Sequence, residues 1–186
     1  MQHTKLVLIL LSFKLFKAKN LVTAEAQQAE YQVANTQKQE SQLAMLSRLE
    51  LSYDVHHQLV EHCQSIGIEF LSTAFDSESL DFLVNDLKLT RLKIPSGEIT
   101  NAPLVLEHTR TGCDLIVSTG MATLSEVEAV LGVIAFGYTA DKSAMPSELE
   151  FQKAYASELG QKALKEKSDI AALYHRIPSA NGRDKS

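Results

Sequence analysis

Residues 91–101 read RLKIPSGEITN, and the reading of this stretch decides the fold. Arg91 to Pro95 is a short, mostly apolar run bounded by Pro95 and Gly97, which is the pattern of a strand that stops at a turn. Lys93 lies inside it. Ser96 and Glu98 follow at once, and Pro103 suits the first turn of a helix that carries Leu104, Leu106 and His108 and is closed by Gly112.

Working outward, the same unit recurs on both sides. Upstream, Ser52 is placed to cap a helix with Val55, Leu59, Val60 and Cys63 at helical spacing, ended by Gly67, and the strand IEFLS follows from Ile68 to Ser72. Asp76 then stands as N-cap of SESLDFLVNDL, whose apolar stripe is Leu80, Leu83, Val84 and Leu87. Downstream, DLIVS runs from Asp114 to Ser118, and Thr123 to Glu126 reads as a capping box that opens a helix through Val127, Val130, Leu131 and Ile134. Strand starts at 68, 91 and 114 are evenly spaced, with one helix in each interval. The pattern is βαβαβ, so the strands are parallel and the crossovers right-handed.

Polar residues stand just past every strand: Thr73 and Asp76, Ser96 and Glu98, Ser118 and Thr119. An open doubly wound sheet concentrates its site at one switch point, whereas a (β/α)8 barrel builds one from all its strand ends, so the spacing favours the barrel. A lysine within a strand of a closed barrel points into its mouth and needs an anion there. Hydroxyls of Thr73, Ser96 and Ser118 can donate to phosphate or carboxylate oxygens, and Gly97 and Gly120 let the backbone approach a ligand. Together with Lys93 they describe an anion cradle, with the carboxylate of Glu98 beside it for a sugar hydroxyl or for proton transfer. Read blandly, the same Ser, Thr and Gly residues are ordinary loop and cap residues.

Composition narrows the classes. The chain has 186 residues, 45% hydrophobic and 22% charged, with a formal net charge of −5. That suits one globular domain and offers no cationic footprint for nucleic acid. Cys63 and Cys113 are far apart with no CxxC, which fits unpaired thiols in a reducing cytoplasm. Both read as small core residues. His56, His57 and His62 share a helix without the i,i+4 spacing of a metal site and read as a solvated face, while His108 flanks the core of its helix. The polar stretch from Ala24 to Gln42 reads as a long surface loop or a lid.

Three stretches, GIEFLSTAFDSESLDFL, LKIPSGEITNAPL and IVSTGMATLSEVEAVL, in that order and spacing, resemble the sialic acid synthases, namely N-acetylneuraminate synthase and its legionaminate and pseudaminate relatives. The resemblance runs from about Lys17 to Lys167. It implies part of a (β/α)8 barrel, about strands 3 to 5 with their helices, and a homodimer in the complete enzymes. It also implies condensation of phosphoenolpyruvate with an N-acylated hexose, such as N-acetylmannosamine, to a nine-carbon keto acid with release of phosphate. On this likeness Thr73, Lys93, Ser96 and Ser118 hold phosphoenolpyruvate, and Glu98 lies at the same site. The family's divalent metal, manganese or magnesium, polarises the sugar aldehyde. Its two downstream histidine ligands are missing from this chain, as are the family's opening AEAG-N-NG, its VKFQTF and its LLHCT-YP strands. Ala74 also replaces the proline usual in STPFD.

The missing strands have counterparts in another reading frame. The family pattern places GAD-VKFQTF directly before KAKNLV, where this chain has LVLILLSFKLF. Read in a shifted frame with permitted codons, residues 1–16 can yield AAHQIGADFVKFQTF, and one surplus T before the Lys17 codon restores the frame. Residues 168–186 read one base later can yield VTLLHCTTEYPAPMEEIN, with one surplus A after Lys167. The expectation is therefore an inactive fragment, with residues 17–167 a partial barrel and residues 1–16 and 168–186 out-of-frame translation. On this account LVLILLSF imitates the apolar core of a signal peptide, since Lys14, Lys17 and Lys19 then stand where a cleavage region is neutral and small. The competing readings are a buried strand and a non-enzymatic interaction protein anchored to a membrane by residues 6–13.

Overall fold

The computed structural model describes residues 10–28, 33, 40–144 and 146–168. In chain order the elements are β1 (Leu10–Leu15), α1 (Ala18–Leu21), α2 (Gln42–Leu49), α3 (Tyr53–Ser65), β2 (Glu69–Ala74), α4 (Ser77–Asp81) running into a π-helical turn (Phe82–Asp86), β3 (Arg91–Ile94), α5 (Ala102–Arg110), β4 (Asp114–Val117), α6 (Leu124–Thr139), α7 (Glu148–Ala156) and α8 (Glu158–Lys167). Residues 1–89 and 90–186 form two compact units, each with its own parallel strand pair.

In the first unit β1 and β2 pair in parallel from Leu10 opposite Glu69 to Leu15 opposite Ala74. The apolar run near the start of the chain thus supplies a strand over residues 10–15, while residues 1–9 lie outside the described part. Phe13 stacks on Phe70 with ring centroids 5.4 Å apart, and His56 of α3 meets the edge of Phe70 at 6.3 Å. One face of the pair is therefore covered by α3. Ser52 and Asp76 cap α3 and α4 as expected, accepting from Val55 N–H and Ser79 N–H. Gly67 ends α3 at φ +71°, in the left-handed region that a side chain disfavours.

The solvated reading of the α3 histidines fails at His56, which is completely buried. Its Nδ1 lies 3.0 Å from the carbonyl of Ser52, so a residue that reads as polar sits inside with one nitrogen satisfied. His57 and His62 are exposed, as expected. The single helix expected from Ser77 also changes character. Leu87 N–H bonds to Phe82 O, five residues back, and the wider turn allows the consecutive side chains of Phe82 and Leu83 both to be buried. The ends of the polar stretch after Ala24 are tied by a bridge between Gln27 and Ser41, while residues 29–32 and 34–39 lie outside the described part.

In the second unit β3 and β4 pair in parallel, Arg91 opposite Asp114 through Ile94 opposite Val117. Leu92, Ile94, Leu115 and Val117 are buried, whereas Lys93 and Ile116 are only partly so, giving the pair one dry face and one open one. Thr123 and Glu126 form the expected capping box of α6. Helices α5 and α6 approach closely at Gly137, where an added Cβ would overlap the Thr109 hydroxyl. Helices α7 and α8 lie beyond the rhythm legible in the sequence. Phe151 of α7 meets Phe136 of α6 edge-on at 5.3 Å, and Ser157 separates α7 from α8 by accepting from Gly160 N–H. After α8, Ser168 forms a parallel bridge with Leu115, and Lys167 Nζ donates to Gly112 O at 2.9 Å. The described residues make an α/β architecture of parallel strand pairs covered by helices.

Candidate functional site

Four of the five site residues belong to the second unit, at the C-terminal ends of β3 and β4. Lys93 lies on the open face opposite Ile116, and Ser118 follows two positions later. The backbone holds the two loops level, because Ser118 N–H donates to Ile94 O at 3.0 Å. All four, Lys93, Ser96, Glu98 and Ser118, are partly buried, so each retains some access to solvent.

The loop after β3 is shaped by short-range bonds. Glu98 N–H donates to Pro95 O at 3.0 Å and Asn101 N–H to Glu98 O at 2.9 Å, while buried Ile99 anchors the turn. Asn101 serves two neighbours. Its Oδ1 faces Leu104 N–H at the start of α5, and its amide nitrogen donates to Glu98 Oε2 at 3.0 Å. The Glu98 carboxylate is thereby oriented with its second oxygen left for another partner. The loop after β4 turns through a bond from Ala122 N–H to Thr119 O, with Thr119 buried. A Cβ at Gly97 or at Gly120 would meet nothing within 4 Å, so the space beside both loops is open.

Thr73 lies in the first unit, on β2, and is 3% exposed. Its neighbour Ser72, which the sequence did not single out, is fully buried with its hydroxyl unpartnered among the described residues. Alternation puts Ser72 on the face toward α3 and Thr73 on the opposite face. His108 is deep in the second unit, with Nδ1 2.8 Å from Leu104 O and Nε2 without a partner among the described residues. Burial pushes its pKa below the ordinary 6.5, against a smaller upward pull from Leu104 O and from the charges of Glu107 and Glu98. It is a neutral core residue.

Among the described residues no three His, Cys, Asp or Glu side chains converge so as to hold a metal ion. The described side chains therefore do not fit the divalent metal that the likeness implies. Two cavities of the second unit are lined by other residues. One is bounded by Arg91, Asp114 and Lys165 to Ser168 near the start of β3 and β4, the other by Ala102, Ala129, Gly132, Val133 and Phe151 among α5, α6 and α7.

Parallel strands with an in-strand lysine and hydroxyls at their C-terminal ends can now be set beside known proteins. The profile of the NeuB family matches residues 10–177. The chain belongs to the NeuB family. That match reaches beyond both ends of the stretch in which the motifs lie. The chain is 47% identical over 122 residues to an N,N'-diacetyllegionaminic acid synthase of Campylobacter jejuni, covering 66% of this chain and 36% of that protein. It is 46% identical over 122 residues to the enzyme of the same name from Legionella pneumophila, covering 66% and 34%. It thus spans about a third of the length of these NeuB relatives. In structure it is similar to an N-acetylneuraminic acid (sialic acid) synthetase from Leptospira borgpetersenii, crystallised with citrate, at a TM-score of 0.55 and 22% identity. The overlap covers 68% of this chain and 39% of that one, and bears on the fold alone.

Proposed function

We propose that this chain carries part of the (β/α)8 barrel of a synthase that condenses phosphoenolpyruvate with an N-acylated hexose to a nine-carbon keto acid. The diacetylated products named for its NeuB relatives favour an acetamido sugar as acceptor. The observation that carries this reading is the parallel β3–β4 pair, with Lys93 and Ser118 in one register at its C-terminal end beside the Ser96–Glu98 turn. In the reaction the enol carbon of phosphoenolpyruvate bonds to the aldehyde carbon of the sugar, whose oxygen gains a proton. Water adds at the neighbouring carbon, and inorganic phosphate leaves as the ketone forms. Lys93 supplies the cation for the anionic donor, with the hydroxyls of Ser96 and Ser118 donating to its oxygens. Glu98, oriented by Asn101, takes the proton of the incoming water.

Residues 17–167 make up this barrel segment, and residues 1–16 and 168–186 are out-of-frame translation, so the chain as it stands binds phosphoenolpyruvate without turning it over. Isothermal titration calorimetry with phosphoenolpyruvate, together with phosphate-release assays containing N-acetylmannosamine, tests both parts. Binding without phosphate release is expected, and Lys93→Ala is expected to weaken binding by about tenfold or more, the loss of a charge-assisted hydrogen bond. Unchanged binding by that variant would remove the anion cradle, and turnover by the chain would remove the fragment reading.

A further inference from the structure

The outer helices of the second unit enclose a cavity of about 330 Å³ that the proposed reaction does not use. Its floor is made by Gly132 and Val133 of α6, both buried, and by half-buried Phe151 of α7. Ala129, one turn before Val133 on the same face of α6, and Ala102, the first residue of α5, form its sides. Small residues keep this space open. An added Cβ at Gly132 would stand 3.0 Å from Phe151 O, so the two helices already meet closely there, and the Phe151 ring is held edge-on against Phe136 at 5.3 Å.

The mouth of the cavity is acidic. Glu148 shares one face of α7 with Phe151 and Gln152, and Glu128 precedes Gly132 by one turn of α6. Both carboxylates are exposed, and neither side chain makes a hydrogen bond or an ion pair among the described residues. Glu148 is favoured by the positive end of α7, in whose first turn it stands. Glu128 lies beyond the first turn of α6 and has no such compensation. Among the described residues no lysine or arginine lines the cavity. An apolar floor under two uncompensated carboxylates offers nothing to an anion, and it complements a cation whose charge sits at the end of an apolar body.

We infer that this cavity is a binding site for a small organic ammonium ion, with an aryl or alkyl body on Val133 and Phe151 and the ammonium group at the mouth beside Glu128 and Glu148. The volume is at the small end of the range of ordinary ligand pockets, and packed helices are a common place for them. Burial of the apolar body supplies most of the affinity. The two carboxylates, being exposed, add less energy and set the sign of the ligand. The site lies wholly within the second unit and is independent of the phosphoenolpyruvate reading.

Ligand-observed NMR titration of the full chain with benzylammonium, benzyl alcohol and benzoate tests the inference. Benzylammonium is expected to bind about two- to fivefold more tightly than benzyl alcohol, and benzoate most weakly, a difference on the scale of exposed charge pairs. Added salt is expected to erase the preference, as is the double variant Glu128→Gln, Glu148→Gln, with binding of the alcohol retained in both cases. Ala129→Leu and Ala102→Leu fill the cavity from two sides, and each is expected to abolish binding while keeping the circular dichroism of the parent. The glutamine substitutions are at exposed positions, so they read the site whichever leucine variant folds. Equal binding of the three probes by the parent, or binding of none, would overturn the inference, as would undiminished binding by a folded leucine variant.

Discussion

At the scale of single residues, the buried histidines set an expectation about pH. His56 and His108 are both held below the ordinary 6.5, in each case first by burial, which penalises the imidazolium. The unfolded chain therefore binds more protons than the folded one just below that value. Their neutral forms stabilise the fold above about pH 6.5, and this contribution is lost as pH falls through the range beneath it. Urea midpoints measured at about pH 7.5 and about pH 5.5 are expected to drop at the lower pH, with a shallower drop in His56→Leu. A slope unchanged in that variant would show that His56 does not contribute. The sequence gives no warning of this burial at His56. A histidine four residues after a capping serine carries the same letters whether its ring faces water or the edges of Phe70 and Phe82. Lys93 is different, because a lysine inside an apolar strand is anomalous on its face and can be picked out without any structure.

Helices and strands carry two further tests. Thr123 opens α6 by accepting from Glu126 N–H while Glu126 accepts from Thr123 N–H, at 3.3 and 2.7 Å. Thr123→Ala is expected to cost about 1 kcal/mol in denaturant unfolding, the usual loss for an N-cap. Gly137 has a different reason to be small. An added methyl would overlap the hydroxyl of Thr109, which is buried and donates to Leu106 O at 2.8 Å. Gly137→Ala should therefore destabilise by about 1–3 kcal/mol through overpacking, even though alanine is the better helix former. A gain in stability would mean that α5 and α6 separate at little cost. The capping box is legible in four letters, TLSE. The glycine is not, because its neighbour comes from a helix that precedes it by a whole strand.

At the scale of the whole molecule, the described sheets have two strands each, and every such pair presents backbone edges that invite further pairing. The chain is expected to self-associate with rising concentration in light scattering, and a frame-restored protein to remain of one size. Sequencing the gene across the codons for Phe16 and Lys167 tests the frame directly. Runs one base shorter than the printed protein requires would restore the missing strands, whereas runs as printed would mark a decayed gene. Thr73, expected just past its strand, lies within β2, but local letters were enough to set the β/α rhythm from Tyr53 to Thr139, the caps at Ser52, Asp76 and Thr123, and the hydroxyls beyond β3 and β4. These depend on bonds that span three or four residues or on the alternation of one strand. Which strand pairs with Leu10–Leu15, which histidine is buried, and how α7 and α8 return to the sheet were decided only by tertiary structure. Each of those depends on a partner far along the chain, and no short stretch of sequence contains both halves of the contact.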